Sequence, residues 1–213
     1  APQSRPEESV PGQPGRTRYL PFYEGYFSNF IEGTEFPVDE AADIVFNDYE
    51  PEGRPLDAHD IRGTYALLSD PDKMILTGSD ADDFVDLVQR RHRIIMAGRP
   101  TVRPGEFKHR DNRAGETYFV EWDLVEGTLR AGFGLRDTLD TAWERAVYVA
   151  FVVSEVHPFA DGNNQESSSE AVNAWAGLAL WARARGNKDL EVQATWMHAL
   201  EALAARAYWT DFD

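Results

Sequence analysis

An apolar run from Ala146 to Val156 ends abruptly at His157-Pro158, and a second helical run from about Ser167 to Arg185 follows after the turn Phe159-Ala160-Asp161-Gly162-Asn163-Asn164-Gln165. Few chains pack a near-continuous apolar helix anywhere but at the centre of a helical domain. Proline stops the first helix, and the Gly-Asn turn starts the next. The two ends therefore form a cup, with an imidazole on one side and unpaired backbone N–H groups on the other. Such a helix N-terminus attracts anions, because its first N–H groups lack internal partners and the macrodipole adds positive potential. Asp161 stands beside the cup as a candidate Mg²⁺ ligand.

Composition narrows what could occupy it. The chain has 213 residues, 42% of them hydrophobic, with six tryptophans, enough for one good core. Its 37 acidic against 21 basic residues give a net charge of −16, which argues against a nucleic-acid partner because a phosphate backbone requires a basic stripe. The absence of cysteine excludes disulfides, thiolate metal sites and a thiol nucleophile. No run approaches the roughly 18 apolar residues of a membrane span, and no signal-peptide pattern opens the chain, so a cytoplasmic protein without membrane contact is expected.

Residues 1–18 are rich in Pro, Gly and polar residues and are expected to be disordered. Aromatics then recur at helical spacing from Tyr19 to Phe30, predicting a short helix over 19–33 that ends at Gly33. A brief helix is expected over Asp39–Phe46. Asp57 is expected to cap a helix carrying Ile61, Tyr65 and Leu68. Ser79 and Asp82 read as a capping box ahead of Phe84, Leu87 and Val88. That helix carries Arg90-Arg91-His92-Arg93, the most basic point of the chain and a candidate anion grip. Alternating residues around Ala114-Gly115 suit a hairpin within about 106–121. Asp137 or Thr138 is expected to cap the long apolar helix, and Thr195 the last one. All of this adds up to an all-α fold: a compact bundle of about six to eight helices with one small β-hairpin.

His157-Pro158-Phe159-Ala160-Asp161-Gly162-Asn163 resembles the first half of the signature of the Fic family, H-x-F-x-[D/E]-G-N-G-R-x-x-R. Two further stretches are similar to the same family over about residues 28–205. Ser28 to Gly33 resembles its inhibitory motif [S/T]-x-x-x-E-[G/N], and Pro104 to Lys108 resembles the P-G-x-[F/Y]-R that leads into its flap. The resemblance implies a single Fic-like helical domain over 19–213, with the inhibitory-type helix at 19–33 and the signature loop at 157–168. It implies that His157 takes a proton from a hydroxyl on a target protein, which then accepts AMP from ATP. Asp161 would hold Mg²⁺, Gly162 and Asn163 the phosphates, and Glu32 would reach into the site. The flap residues Tyr118 and Phe119, with Lys108 at their base, would hold the target by strand addition.

The second half of the signature is different here. Asn164 stands for Gly, Gln165 for the first Arg and Ser168 for the second, while Glu166 and Glu170 add negative charge. Each lost charge-assisted contact is worth about 1.5–3 kcal/mol, so ordinary ATP binding is disfavoured and a weakly charged ligand suits Gln165 and Ser168 better. Three functions remain open. One is a Fic-like transferase with an altered donor site. Another is a divergent enzyme using His157 and Glu32 for acid–base or hydrolytic chemistry on a small molecule. The third is an inactive binding module.

Overall fold

The computed structural model describes residues 14–31, 33–114, 116–160 and 168–210. Among them are α1 (Pro14–Ile31), α2 (Val38–Phe46), α3 (Pro55–Leu68), α4 (Pro71–Met74), α5 (Ala81–Ile95), β1 (Arg113–Ala114), β2 (Thr117–Tyr118), α6 (Val125–Leu135), α7 (Ala142–Val156), α8 (Ser168–Ala184) and α9 (Lys188–Thr210). The fold is all-α with a two-stranded antiparallel hairpin. No described helix is long and apolar enough to cross a membrane.

Two cores hold the chain. Phe22, Tyr26, Phe36, Ile44 and Ile61 join α1, α2 and α3. Phe84, Leu129, Phe133, Tyr148, Val152 and Leu180 join α5 to α8. The helix α7 lies at the centre of the second, with Tyr148, Val152 and Val156 on its buried side, although Ala146 and Ala150 on its other side are exposed. The expectation of a helix buried all round is corrected to a helix buried on one face.

Several boundaries fall elsewhere than the sequence suggested. The first helix begins at Pro14, inside the stretch expected to be disordered, and runs through Pro21. Gly25 faces Thr64 of α3. In α3 the first helical residue is Pro55, suited to that position by its fixed φ, and Asp57 instead accepts from Arg54 Nε at 2.9 Å. Asp80, not Ser79, caps α5 by accepting from the Asp83 N–H. Thr141 caps α7 through a capping box with Glu144, in place of Asp137 or Thr138, which lie in a 3-10 turn. The last helix starts at Lys188, with Asn187 Oδ1 accepting from the Leu190 N–H. Thr195 is interior and its hydroxyl donates to the Glu191 carbonyl, the usual back-bond of a helical threonine. The spacing of Val125, Leu129 and Phe133 marks α6, a helix the sequence reading passed over.

Helix α8 meets α7 at Gly177. Ala176, Ala179 and Ala182 are buried, and Gly177 sits against Phe151. At the far end Arg183 donates to Glu144 of α7 at 2.6 Å and to Glu191 of α9 at 2.8 Å. A Cβ at Gly177 would overlap Phe151 Cβ and Cγ, atoms too near the backbone to swing aside. Gly177→Ala should therefore lose about 1–3 kcal/mol in denaturant melts. Gly134→Ala, on α6 with nothing near its Cβ, should gain up to about 1 kcal/mol.

Candidate functional site

The candidate site is assembled where four segments meet: the end of α7, the loop after α5, the hairpin, and α5 itself. His157 closes α7 in the left-handed region, at φ 49 and ψ 64, while its N–H still donates to the Val153 carbonyl at 3.0 Å. Histidine is among the residues that tolerate this region. The following Pro158 cannot continue the helix and is fully buried.

Lys108 and Asn112 hold this turn from outside. The Lys108 backbone N–H donates to the Pro158 carbonyl at 2.8 Å, and its ammonium donates to Val156 O at 3.3 Å and to Asn112 Oδ1 at 2.6 Å. Asn112 Nδ2 in turn donates to Phe159 O at 3.1 Å. Lys108 is only 3% exposed, and burial lowers its pKa against the opposing charge of Asp111. Phe159 is buried between two rings, stacked on His92 at 3.7 Å and tilted against Phe107 at 5.6 Å. His92 accepts from the Gly105 N–H through Nδ1 at 2.9 Å, which fixes that nitrogen as the unprotonated one.

In the hairpin, Arg113 pairs with Tyr118 and Ala114 with Thr117. Alternation along the second strand turns Tyr118 outward, 73% exposed with the Arg113 guanidinium over its ring at 5.9 Å. Phe119 turns inward and stacks face to face on His157, centroids 3.8 Å apart and planes 8° from parallel. Burial, helped by the nearby Lys108 charge, lowers the His157 pKa from 6.5 to about 4, with the Ser154 backbone opposing weakly. The ring is neutral at pH 7. It can accept a proton, though as a base weaker than the near-neutral optimum for general-base catalysis. Its Nδ1 is buried and makes no hydrogen bond among the described residues.

The structure thus brings together His157, Lys108 and Phe119, with Tyr118 at the rim. Ser168 is the first residue of α8. Glu32, Asp161, Gly162, Asn163, Asn164 and Gln165 lie outside the described residues; α1, which precedes Glu32, packs on α3 and α2. The basic cluster divides instead of forming one grip. Arg90 pairs with Asp83 at 3.4 Å, Arg91 donates to the Lys73 and Leu76 carbonyls, and His92 is buried behind Phe159. Sequence reasoning missed the holding roles of Asn112 and His92. The spacing of Asn112 four residues after Lys108 was the available signal. Among the described residues no group of three or more His, Cys, Asp or Glu could hold a metal ion.

The all-α bundle has counterparts of the same fold among solved structures. A Fic-domain-containing signalling protein from Bacteroides thetaiotaomicron superposes with a TM-score of 0.60 at 16% identity, covering 89% of this chain and 76% of that one. A Fic family protein from Desulfovibrio desulfuricans gives 0.54 at 17% identity, covering 91% of this chain and 58% of that one. The Fic/DOC family model matches residues 81–165. The fold is that of Fic-domain proteins, and the match to the family model is confined to residues 81–165.

Its C-terminal part is similar to something else. Residues 153–212 match the model of the glycosyl hydrolase family 81 C-terminal domain. A glucan endo-1,3-beta-D-glucosidase from Acetivibrio thermocellus is 51% identical over 53 residues, and one from Thermobifida fusca 44% identical over 55 residues. These stretches cover 25% and 26% of this chain but only 7% of either relative. The two family matches overlap from 153 to 165, across the turn that carries His157.

The depressed pKa of His157 has a defined sign. Its folded value lies below the unfolded 6.5, so the associated stability is fully present above pH 6.5 and is lost as pH falls towards 4. Wild type should lose up to about 3 kcal/mol more than His157→Gln between pH 7 and pH 4, measured by denaturant unfolding of both at each pH.

Proposed function

We propose that this Fic domain retains the acceptor side of its site and has lost the donor side: it holds an extended, hydroxyl-bearing protein segment along the hairpin and does not draw AMP from Mg-ATP. The observation that carries this reading is the composition of the donor positions. Gln165 and Ser168 stand where the signature pattern has arginines, within the stretch 153–212 that matches the glucanase-type model. Transfer of a phosphoryl-linked group depends on positioning and charge neutralisation, and neither side chain supplies a charge.

The acceptor side supports binding. A two-stranded hairpin leaves an outer edge for strand addition, Tyr118 offers an exposed ring, and Phe119 seats the hairpin on His157. His157, neutral at pH 7, is suited to accept a hydrogen bond from the bound hydroxyl. Mg²⁺ takes one or two carboxylates together with substrate phosphates. Asp161 without a phosphate grip is a poor site for it, and no step here runs through the metal. Glu32 lacks an arginine at position 168 to pair with. A cytoplasmic setting fits this reading and remains part of the proposal.

Calorimetry with Mg-ATP at millimolar concentration should show no binding to wild type, and intact-mass spectrometry should show no added AMP on the chain or an added acceptor protein. The combined change Asn164→Gly, Gln165→Arg and Ser168→Arg should restore binding. Wild-type AMP transfer that disappears in His157→Ala would overturn the proposal and reinstate a transferase.

The match of residues 153–212 to the glycosyl hydrolase family 81 C-terminal domain favours a second reading, contact with a β-1,3-glucan. That stretch includes Glu166 and Glu170, a carboxylate pair of the kind that glycoside chemistry uses. On this reading a β-1,3-linked oligosaccharide binds wild type and fails to bind Glu166→Gln with Glu170→Gln. Equal heats for both proteins, or none, would remove the glucan and leave the acceptor reading standing.

A further inference from the structure

Helix α5 turns His92 towards Phe159 and the candidate site, and other residues of the same helix line a separate cavity of about 140 Å³. Its apolar lining is Leu67 of α3 and Leu87 of α5, each buried at 5% exposure, with Ile94 and the half-exposed Leu76. Lys73, Arg90 and Arg91 complete it, so among the described residues the lining holds three cations and no acid. In a chain with 37 acidic against 21 basic residues, that make-up is the reverse of the average surface.

The wall is held in place by the protein itself. Arg91 donates to the Lys73 carbonyl at 3.0 Å and to the Leu76 carbonyl at 2.9 Å, which ties the end of α4 and the residues after it to α5. The segment then turns at Gly78, at φ 81, where a Cβ would meet Phe84 Cα at 2.8 Å. The three cations differ in what they already meet. Lys73 lies 2.7 Å from Asp70 and Arg90 lies 3.4 Å from Asp83, both as surface pairs of little strength. Arg91 meets no carboxylate among the described residues. Its Nε is buried without a hydrogen-bond partner, and burial alone acts on its pKa, lowering it. A half-buried guanidinium without a counter-charge, set beside leucines, suits an anion that brings its own apolar body.

We propose that this pocket binds a small monocarboxylate with an apolar body of about six carbons. The carboxylate lies on Arg91 with Lys73 and Arg90 beside it, and the hydrocarbon lies on the leucines and Ile94. Volume sets the size, since a dry cavity of about 150 Å³ accommodates benzene and this one is of similar capacity. Inorganic phosphate would leave the apolar lining wet, and a plain hydrocarbon would leave the guanidinium without its counter-charge.

Amide-detected NMR of the full chain, titrated separately with hexanoate, hexanol and hexylammonium, separates the charge from the hydrocarbon. Hexanoate should saturate with a Kd of about a millimolar or lower, the range open to a ligand of about eight heavy atoms. The largest shifts should fall at Leu67, Leu76, Leu87 and Ile94. Hexanol should bind at least about tenfold more weakly, and hexylammonium more weakly still. Arg91→Gln should bring hexanoate down to the affinity of hexanol. Because Arg91 also holds the wall, Lys73→Gln combined with Arg90→Gln is the second variant. It should weaken hexanoate about threefold with hexanol binding and melting temperature unchanged. Wild type that binds hexanoate no tighter than hexanol, or not at all, would overturn the proposal. So would a hexanoate affinity that both variants leave unchanged, or shifts confined to the residues around His157.

Discussion

The site depends on one buried cation. Lys108 is almost wholly out of water, and among the described residues its ammonium is met by Asn112 Oδ1 and the Val156 carbonyl. Burying an ammonium is costly unless its donors find partners, and the partners found here also hold the backbone around His157. The carbonyls of residues 156, 158 and 159 all accept from Lys108 or Asn112. The left-handed turn at His157, the seating of Phe159 on His92 and the inward stack of Phe119 all depend on that clamp. Arginine at this position would present a planar fork, whereas the compact ammonium fits between a side-chain amide and a carbonyl.

The same clamp separates the two halves of the site. Everything that contacts His157 from the hairpin side belongs to the segment matched by the Fic/DOC model, while the residues that follow the turn fall in the glucanase-like stretch. The second segment is nonetheless integrated into the bundle. Leu180 enters the core with Tyr148 and Val152, Gly177 of α8 sits against Phe151 of α7, and Arg183 ties Glu144 to Glu191 across three helices. Helix packing requires apolar residues at the right period and small residues at the crossing, and both kinds of sequence supply them. Phosphate recognition requires particular cations at particular positions, and positions 165 and 168 carry none. Packing that sets a fold therefore does not fix the chemistry at its site.

Much of the fold was legible because periodicity and helix breakers are local properties. The apolar run into His157-Pro158 predicted α7 and its end, and the alternation after Ala114 predicted the hairpin. Helix starts were read less well. Caps at Thr141, Asp80 and Asn187 are chosen by which side chain reaches a free N–H, and neighbouring Thr, Ser and Asp residues offer equally good candidates in the sequence. The short α6 was passed over because its apolar residues, Val125, Leu129 and Phe133, are spaced among glycines. The basic run at 90–93 looked like a single electrostatic feature; the helix sends its members to different neighbours, one of them into the core.

The sequence by itself determined the helical class, the place of the histidine between two helices, and the absence of arginine at positions 165 and 168, since each is a matter of residue type or local period. Only the tertiary structure decided that Lys108 lies under the turn, that Phe119 covers the imidazole, and that one aromatic face of α1 is left in solvent. Those outcomes depend on segments that are distant in the chain and meet only once the bundle has closed, and no local pattern records which side chain a neighbouring element will cover.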